Sequence, residues 1–201
     1  MDAEELLENY AAGQRQFHSV NLRGVDLTGV NLSGIDFSSA DLTGADLNNI
    51  NLSKANLQNA NLSRTSLKNA NLSDLVGGSG LNLSWSDLSG SDLSNANLNN
   101  VNFKNANLDN TNLERAKLEN TNFSSANLSN TNIKDSSLKS ANFTESYLKD
   151  VNLVRTNLSS AIFIKTKLTN CDLSEANLNS TNFSKAEKSR FDRREYLWCN
   201  L

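Results

Sequence analysis

The sequence contains no proline, two cysteines, one histidine and one methionine in 201 residues. Each shortage excludes something. Without proline no backbone N–H is missing from a hydrogen-bond ladder, which suits a chain whose N–H groups nearly all have ladder partners. Two cysteines, Cys171 and Cys199, are too few for a disulfide framework, and no Cys-x-x-Cys or Cys/His metal spacing occurs. The single histidine, His18, belongs to no nucleophile or metal motif and reads as a solvated turn residue. No phosphate-binding loop is present either, so no enzyme, cofactor or metal is expected.

Long apolar runs are missing too. Nothing approaches the ~20 residues of a membrane span, and the opening MDAEELLENY lacks the basic-then-apolar order of a secretory signal. A cytoplasmic protein with no membrane partner is expected. Hydrophobic residues make up only 37% of the chain, a level that in an Asn- and Ser-rich sequence ordinarily suggests disorder. Strict periodicity argues the other way.

Consecutive pentads fill residues 15–74 and 81–185, and all 33 central positions are apolar: 25 Leu, seven Phe and Ile133. The residue before the centre is Asn or Asp in 26 of the 33. Two before the centre stands a small or β-branched residue, with Arg15 and Leu81 as exceptions. An α-helix advances ~100° per residue, so a spacing of five would scatter these side chains over every face. A flat strand alternates faces, so an odd spacing would flip each successive centre. Only a chain that turns after every pentad keeps all centres on one inner side. The Asn or Asp then points out, and the Ser, Gly, Asn and Lys that follow form the turn.

Phe103, Phe123, Phe143, Phe163 and Phe183 lie twenty residues apart, as do Phe17 and Phe37. Period twenty over period five gives four pentads per turn and a square section. At ~4.8 Å per coil, about eight coils make a rod of ~40 Å. A single coil cannot offset its own conformational entropy, so stacking on neighbours holds it.

The stretch ANLQNANLSRTSLKNANLS, residues 55–73, resembles the pentapeptide-repeat family, whose consensus is A-[ND]-[LF]-x-x. The likeness covers about residues 15–185. It implies an all-β fold, a right-handed quadrilateral β-helix solenoid of about eight coils, and the hand comes from the family alone. The opening EELLENYAAGQRQF is similar to the start of cyanobacterial members, including one linked to control of heterocyst differentiation.

Both ends of such a rod need covers. Asp2 with Glu5 forms a capping box, and Ala3, Leu6, Leu7, Tyr10 and Ala11 share a helical stripe that Gly13 ends. Residues 1–14 are therefore expected as an N-terminal helical cap, with the helix over about 2–12. Residues 186–201 are expected as a short C-terminal cap. It is either a helix from about Ser189 that aligns Phe191 with Trp198, or shifted pentads centred on Phe191, Tyr196 and Leu201. The interruption LVGGSG, residues 75–80, moves the frame by one. It either replaces one pentad plus a residue or loops out entirely. The loop is expected, because it puts every Phe on one face.

Candidate interaction residues are Leu75 and Val76 in that loop, Ile162 and Ile164 flanking Phe163, which face either the C-terminal cap or a partner, and Tyr147 in an Asn/Asp place, a partner contact or simply a tolerated surface aromatic. Asp26 and Asp46, twenty apart, should stack like charge over like charge. That arrangement could raise a pKa or hold a cation, although Asp and Asn simply alternate in this place. Cys171 takes an inward small position and Cys199 lies in the tail. A possible disulfide between them would close about 29 residues and stabilise by ~3 kcal/mol, against a reducing cytosol that keeps both as thiols.

Residues 1–100 hold 11 acids against 5 bases, and residues 101–201 hold 11 against 14, a net −6 and +3. No basic stripe with interleaved aromatics is present, so no nucleic-acid partner is expected. The expected function is a non-enzymatic scaffold or regulatory protein–protein interaction module, a monomer or weak homodimer with a protein partner. Family resemblance implies one alternative, a DNA-mimic type protein that interacts with gyrase.

Overall fold

A backbone that turns every five residues has to place its N–H and C=O groups on a neighbouring turn. In the computed structural model, which describes residues 1–189, they bond to the chain twenty residues away. Leu22 N–H donates to Asp41 C=O at 2.8 Å, and Asp41 N–H donates to Val20 C=O at 2.9 Å. Parallel bridges of this kind run from Gln16↔Asp36 to Ile162↔Asn182. Four pentads therefore separate each residue from its ladder partner, and each set of four forms one level of a regular stack. Among the described residues pairing widens into short strands only at β1 (Tyr147–Lys149), β2 (Lys167–Thr169) and β3 (Glu187–Ser189), parallel in the order β1-β2-β3.

Each pentad is shaped by its own side chains. The residue three after a centre closes a β-turn on it, as in Ala40 N–H to Phe37 C=O at 2.9 Å. The third turn residue is left-handed: among the described residues 28 non-glycine residues occupy this region, with φ of 53–63°. Asn and Asp precede the centre because their Oδ1 accepts the N–H two residues on, as Asp41 does from Thr43 at 3.0 Å and Asn122 from Ser124 at 3.0 Å. They also bond between levels. Asn82 donates to Asn61 (3.2 Å), Asn102 to Asn82 (3.1 Å) and Asn122 to Asn102 (3.3 Å), an asparagine ladder up one face.

Inside, every centre from Phe17 to Leu173 is buried, Gly77 included. Where Thr or Ser replaces the inward Ala, its hydroxyl finds a carbonyl, as Thr111 does at Leu88 (3.0 Å) and Thr121 at Leu98 (2.9 Å). Among the described residues no buried side-chain N or O lacks a hydrogen-bond partner.

The expectation that residues 75–80 loop out does not hold. Val76 pairs with Asn56 on one side and Asn97 on the other, which makes it an ordinary pre-centre residue. Leu75 is 0% exposed, so it fills an inward position and is not available to a partner. Gly77 takes the central place, Gly78 is the extra residue, its N–H and that of Gly77 both donating to Asn97 C=O, and Gly80 takes the usual left-handed turn place over Asn59, with φ of 84°. Leu81, the large residue where small ones are usual, is buried and occupies the room Gly77 leaves. A Cβ on Gly77 would lie 2.6 Å from Leu81 Cδ2. The phenylalanines consequently stand on two adjoining faces. Phe17 and Phe37 tilt at 59° with centroids 6.3 Å apart. From Phe103 to Phe183 neighbouring rings lie 4.6–5.2 Å apart, within 17° of parallel.

The helix α1 spans Ala3–Ala11, with Asp2 Oδ1 accepting the N–H of Glu5 at 2.9 Å. Leu6 is fully buried, with Ala3, Leu7 and Tyr10 packed on the core, whereas Ala11 is exposed. The Tyr10 hydroxyl donates to Ser33 C=O at 2.8 Å, and the Arg15 guanidinium sits 3.8 Å from its ring centroid. Gly13 follows with φ of 97°, a left-handed residue past the helix end. At the other end Glu187–Ser189 pairs with Lys167–Thr169, so the ladder continues past residue 185. The two arrangements expected for the tail, and the disulfide to Cys199, fall on residues 190–201, outside the described residues.

Candidate functional site

An outward pre-centre residue normally bonds its own turn and the next level, so a residue that does neither leaves a different surface. Tyr147 and Val76 are such residues, 40% and 39% exposed. Ile162 and Ile164 flank the buried Phe163 and are half-buried. Ile162 pairs with Asn142, and Tyr147 follows Asn142 by one pentad. The structure thus brings Ile162, Ile164 and Tyr147 to two adjoining faces on neighbouring levels, around a turn where Lys165 Nζ and Glu145 Oε1 pair at 3.0 Å. Val76 stands several levels away, between Asn56 and Asn97.

One residue that the spacing of apolar centres passes over is Trp85. It is 60% exposed and left-handed, with φ of 63°. The other non-glycine left-handed residues are Ser, Asn, Asp, Glu, Lys or Arg. A left-handed residue with a Cβ costs roughly 1–2 kcal/mol, and a bulky aromatic gains no local hydrogen bond to offset it. Its signal was present in the sequence as a tryptophan in a turn place.

Cys171 is half-buried, its Sγ 3.5 Å from Leu148 C=O, and burial pushes its pKa up to about 11. A thiol held in that state is a poor nucleophile at neutral pH. Asp26 and Asp46 do stack as ladder partners. No raised pKa results at Asp26, because the Thr28 hydroxyl and N–H hold its carboxyl below the usual range. His18 is exposed. Among the described residues no group of three or more His, Cys, Asp or Glu could hold a metal, and no helix is long and apolar enough to cross a membrane.

Several aspartates share Asp26's state. Thr43 lowers Asp41, Ser174 lowers Asp172, and the Arg155 guanidinium, bidentate at 2.7 and 2.9 Å, lowers Asp135. A carboxyl whose folded pKa is depressed contributes stability above its unfolded pKa and loses it as pH falls through the folded value. Thermal stability is therefore expected to be flat from neutral pH down to about 5 and to fall below about 4, where unfolded carboxyls take up protons. Melting curves across that range check it: a decline already complete by pH 5 would contradict the window, and a rise on acidification would contradict the sign.

Stacked pentads with a buried Leu or Phe centre, an outward Asn or Asp and a left-handed turn define a class of repeat protein. The signature described as pentapeptide repeats (8 copies) matches residues 16–34, 35–74, 136–174 and 163–187, and the pentapeptide repeat region matches 83–153. The chain belongs to the pentapeptide-repeat family. A search of curated proteins finds no match. Among solved structures the chain is similar to HetL, a pentapeptide repeat protein involved in heterocyst differentiation regulation from the cyanobacterium Nostoc sp. strain PCC 7120. Identity is 28%, over 92% of this chain and 96% of that one, with a TM-score of 0.58. It is also similar to QnrB1, a plasmid-mediated fluoroquinolone resistance protein, at 19% identity over 85% and 90% of the two chains, TM-score 0.45. A third is AT2G44920 from the thylakoid lumen of Arabidopsis thaliana, at 34% identity over 53% and 67%, TM-score 0.25.

Proposed function

We propose that the chain is a right-handed quadrilateral β-helix solenoid of about eight coils that works as a non-enzymatic scaffold or regulatory module. It acts in the cytoplasm as a monomer or weak homodimer, needs no cofactor, and engages a protein partner through outward apolar side chains. The observation that carries this reading is three outward apolar side chains, Tyr147, Ile162 and Ile164, on adjoining faces of neighbouring levels around the Lys165–Glu145 pair. Asparagine in these places bonds its own turn and the next level, so apolar residues there give up hydrogen bonds. A partner that covers them supplies the compensating burial. The similarity to HetL, itself a protein of differentiation regulation, supports a regulatory role over a catalytic one.

Imitation of duplex DNA is the weaker reading. A rod of ~40 Å would replace duplex carrying roughly 24 negative charges, and the net charge of the whole chain is −3.

Tyr147→Asn with Ile162→Asn restores the family residue at both outward places. Partner capture from a lysate of the source organism is expected to fall by about tenfold relative to wild type, as for loss of an interface anchor. The melting temperature should stay within about 2 °C, the usual range for surface changes. Unchanged capture, or catalytic turnover by the purified protein, would sink the reading.

A further inference from the structure

Trp85 has a particular pair of neighbours. Arg64 N–H donates to Ser84 C=O and Trp85 N–H donates to Lys104 C=O, both at 3.0 Å. These bonds put Arg64, Trp85 and Lys104 on three successive levels at one turn, with ~4.8 Å between levels. Both cations are exposed, and among the described residues neither side chain has an ion pair or hydrogen bond. The nearby carboxylate of Asp87 is already taken. Lys68 Nζ lies 3.3 Å from it, and it accepts from Ser89 N–H (3.1 Å) and Asn107 Nδ2 (3.0 Å). The local surface is therefore an exposed indole between two positive charges that have no ion pair.

We propose that this turn docks an acidic segment of a protein partner. The indole packs against an apolar or aromatic side chain of that segment, and Arg64 and Lys104 receive carboxylates on either side. This rests on the interaction-module reading and assigns it a second, separate surface. Three features favour this occupant. A left-handed Trp is an outlier that the fold does not need, since Ser, Asn or Gly serves at the same place on other levels. Tryptophan and arginine are the side chains that most often anchor interfaces. A guanidinium and an ammonium without internal carboxylates supply the charge complement. Single-stranded nucleic acid would need successive stacking aromatics along a basic groove. Among the described residues no second exposed aromatic accompanies Trp85 at this turn.

The test uses the full chain carrying Trp198→Phe, which leaves Trp85 as the one tryptophan reporter. A random peptide library is panned on it, and an enriched peptide is titrated by indole fluorescence. Peptides rich in Asp and Glu are expected, with affinity that weakens as salt rises. Trp85→Asn should weaken binding by about tenfold, measured with labelled peptide, and Arg64→Asn with Lys104→Ser by a similar factor. The same Trp85→Asn change should raise the melting temperature by ~2–4 °C, because asparagine is at home in a left-handed turn. Failure to enrich acidic peptides, or equal binding by Trp85→Asn, overturns the proposal. So does tighter binding of oligo-dT than of any peptide, which would make nucleic acid the ligand. If panning fails while Tyr147→Asn/Ile162→Asn still abolishes partner capture, the module reading stands and this site falls.

Discussion

Leu118→Asp is expected to unfold the protein or cost about 4 kcal/mol or more, a large part of an ordinary domain's 5–15 kcal/mol. Leu118 is 0% exposed. It sits between Leu98 and Leu138, since Asn97, Lys117 and Ser137 pair in one ladder. A carboxylate there has no cation on the leucines above and below it, and a charge buried without a partner is among the costliest changes a core can receive. Asn122→Ala is the companion measurement. It removes a 3.3 Å bond to Asn102 and a 3.0 Å bond from Ser124 N–H, both at a half-exposed position. About 1 kcal/mol is expected. Urea unfolding of both variants decides the matter, and comparable losses would mean that inside and outside have been confused.

The second large effect lies at Gly77 and Leu81, where two substitutions are expected to rescue each other. Gly77→Leu alone drives a side chain into Leu81 Cδ2 and Leu98 Cδ2, which lie 2.6 and 3.2 Å from the position of its Cβ. Overpacking of this kind costs about 1–3 kcal/mol or more. Leu81→Ala alone empties the space that Leu81 fills over the glycine, for about 2–5 kcal/mol. Together they put a Leu at the centre and a small residue two before the next centre, which is the arrangement of an ordinary pentad. The double variant should recover much of both losses, with a coupling of about 1–3 kcal/mol in a double-mutant cycle. Simple addition of the two losses would show that Leu81 does not compensate for Gly77.

That pair also shows where the sequence could and could not be read. Pentad centres were legible because each needs an apolar side chain, and the phenylalanine spacing of twenty is the spacing of the ladder partners. Leu72 to Leu83, eleven residues, fits a bulge and an extra residue equally well. A glycine at the centre leaves no side chain to mark the place. The informative residue was Leu81, too large for its position, whose size makes sense only beside an empty neighbour. Leu75, expected at the surface, is buried for the same reason: its pentad is real. Ile162 and Tyr147 were legible as outward residues because each breaks the Asn/Asp rule, and Ile164 because it stands in a turn place where polar residues are usual. Trp85 was not, because a turn position tolerates many residues and spacing alone says nothing about backbone handedness. Asp26 and Asp46 are ladder partners, as their spacing of twenty implies, and the donors of Thr28 in its own turn lower the Asp26 carboxyl, which the spacing alone does not reveal.

The ladder register has a consequence for how the chain reaches this structure. Bridged residues lie 20 or 21 apart in the sequence, about one-tenth of the chain length. Separations that short belong to helical bundles, whereas sheet proteins generally pair residues far more distant. Closing a loop of twenty residues carries a modest entropic penalty, and each level added repeats the same step on a template already formed. Folding can therefore start at any pair of adjacent levels and spread toward both ends. A parallel β-protein built this way escapes the slow, long-range search that parallel pairing usually imposes.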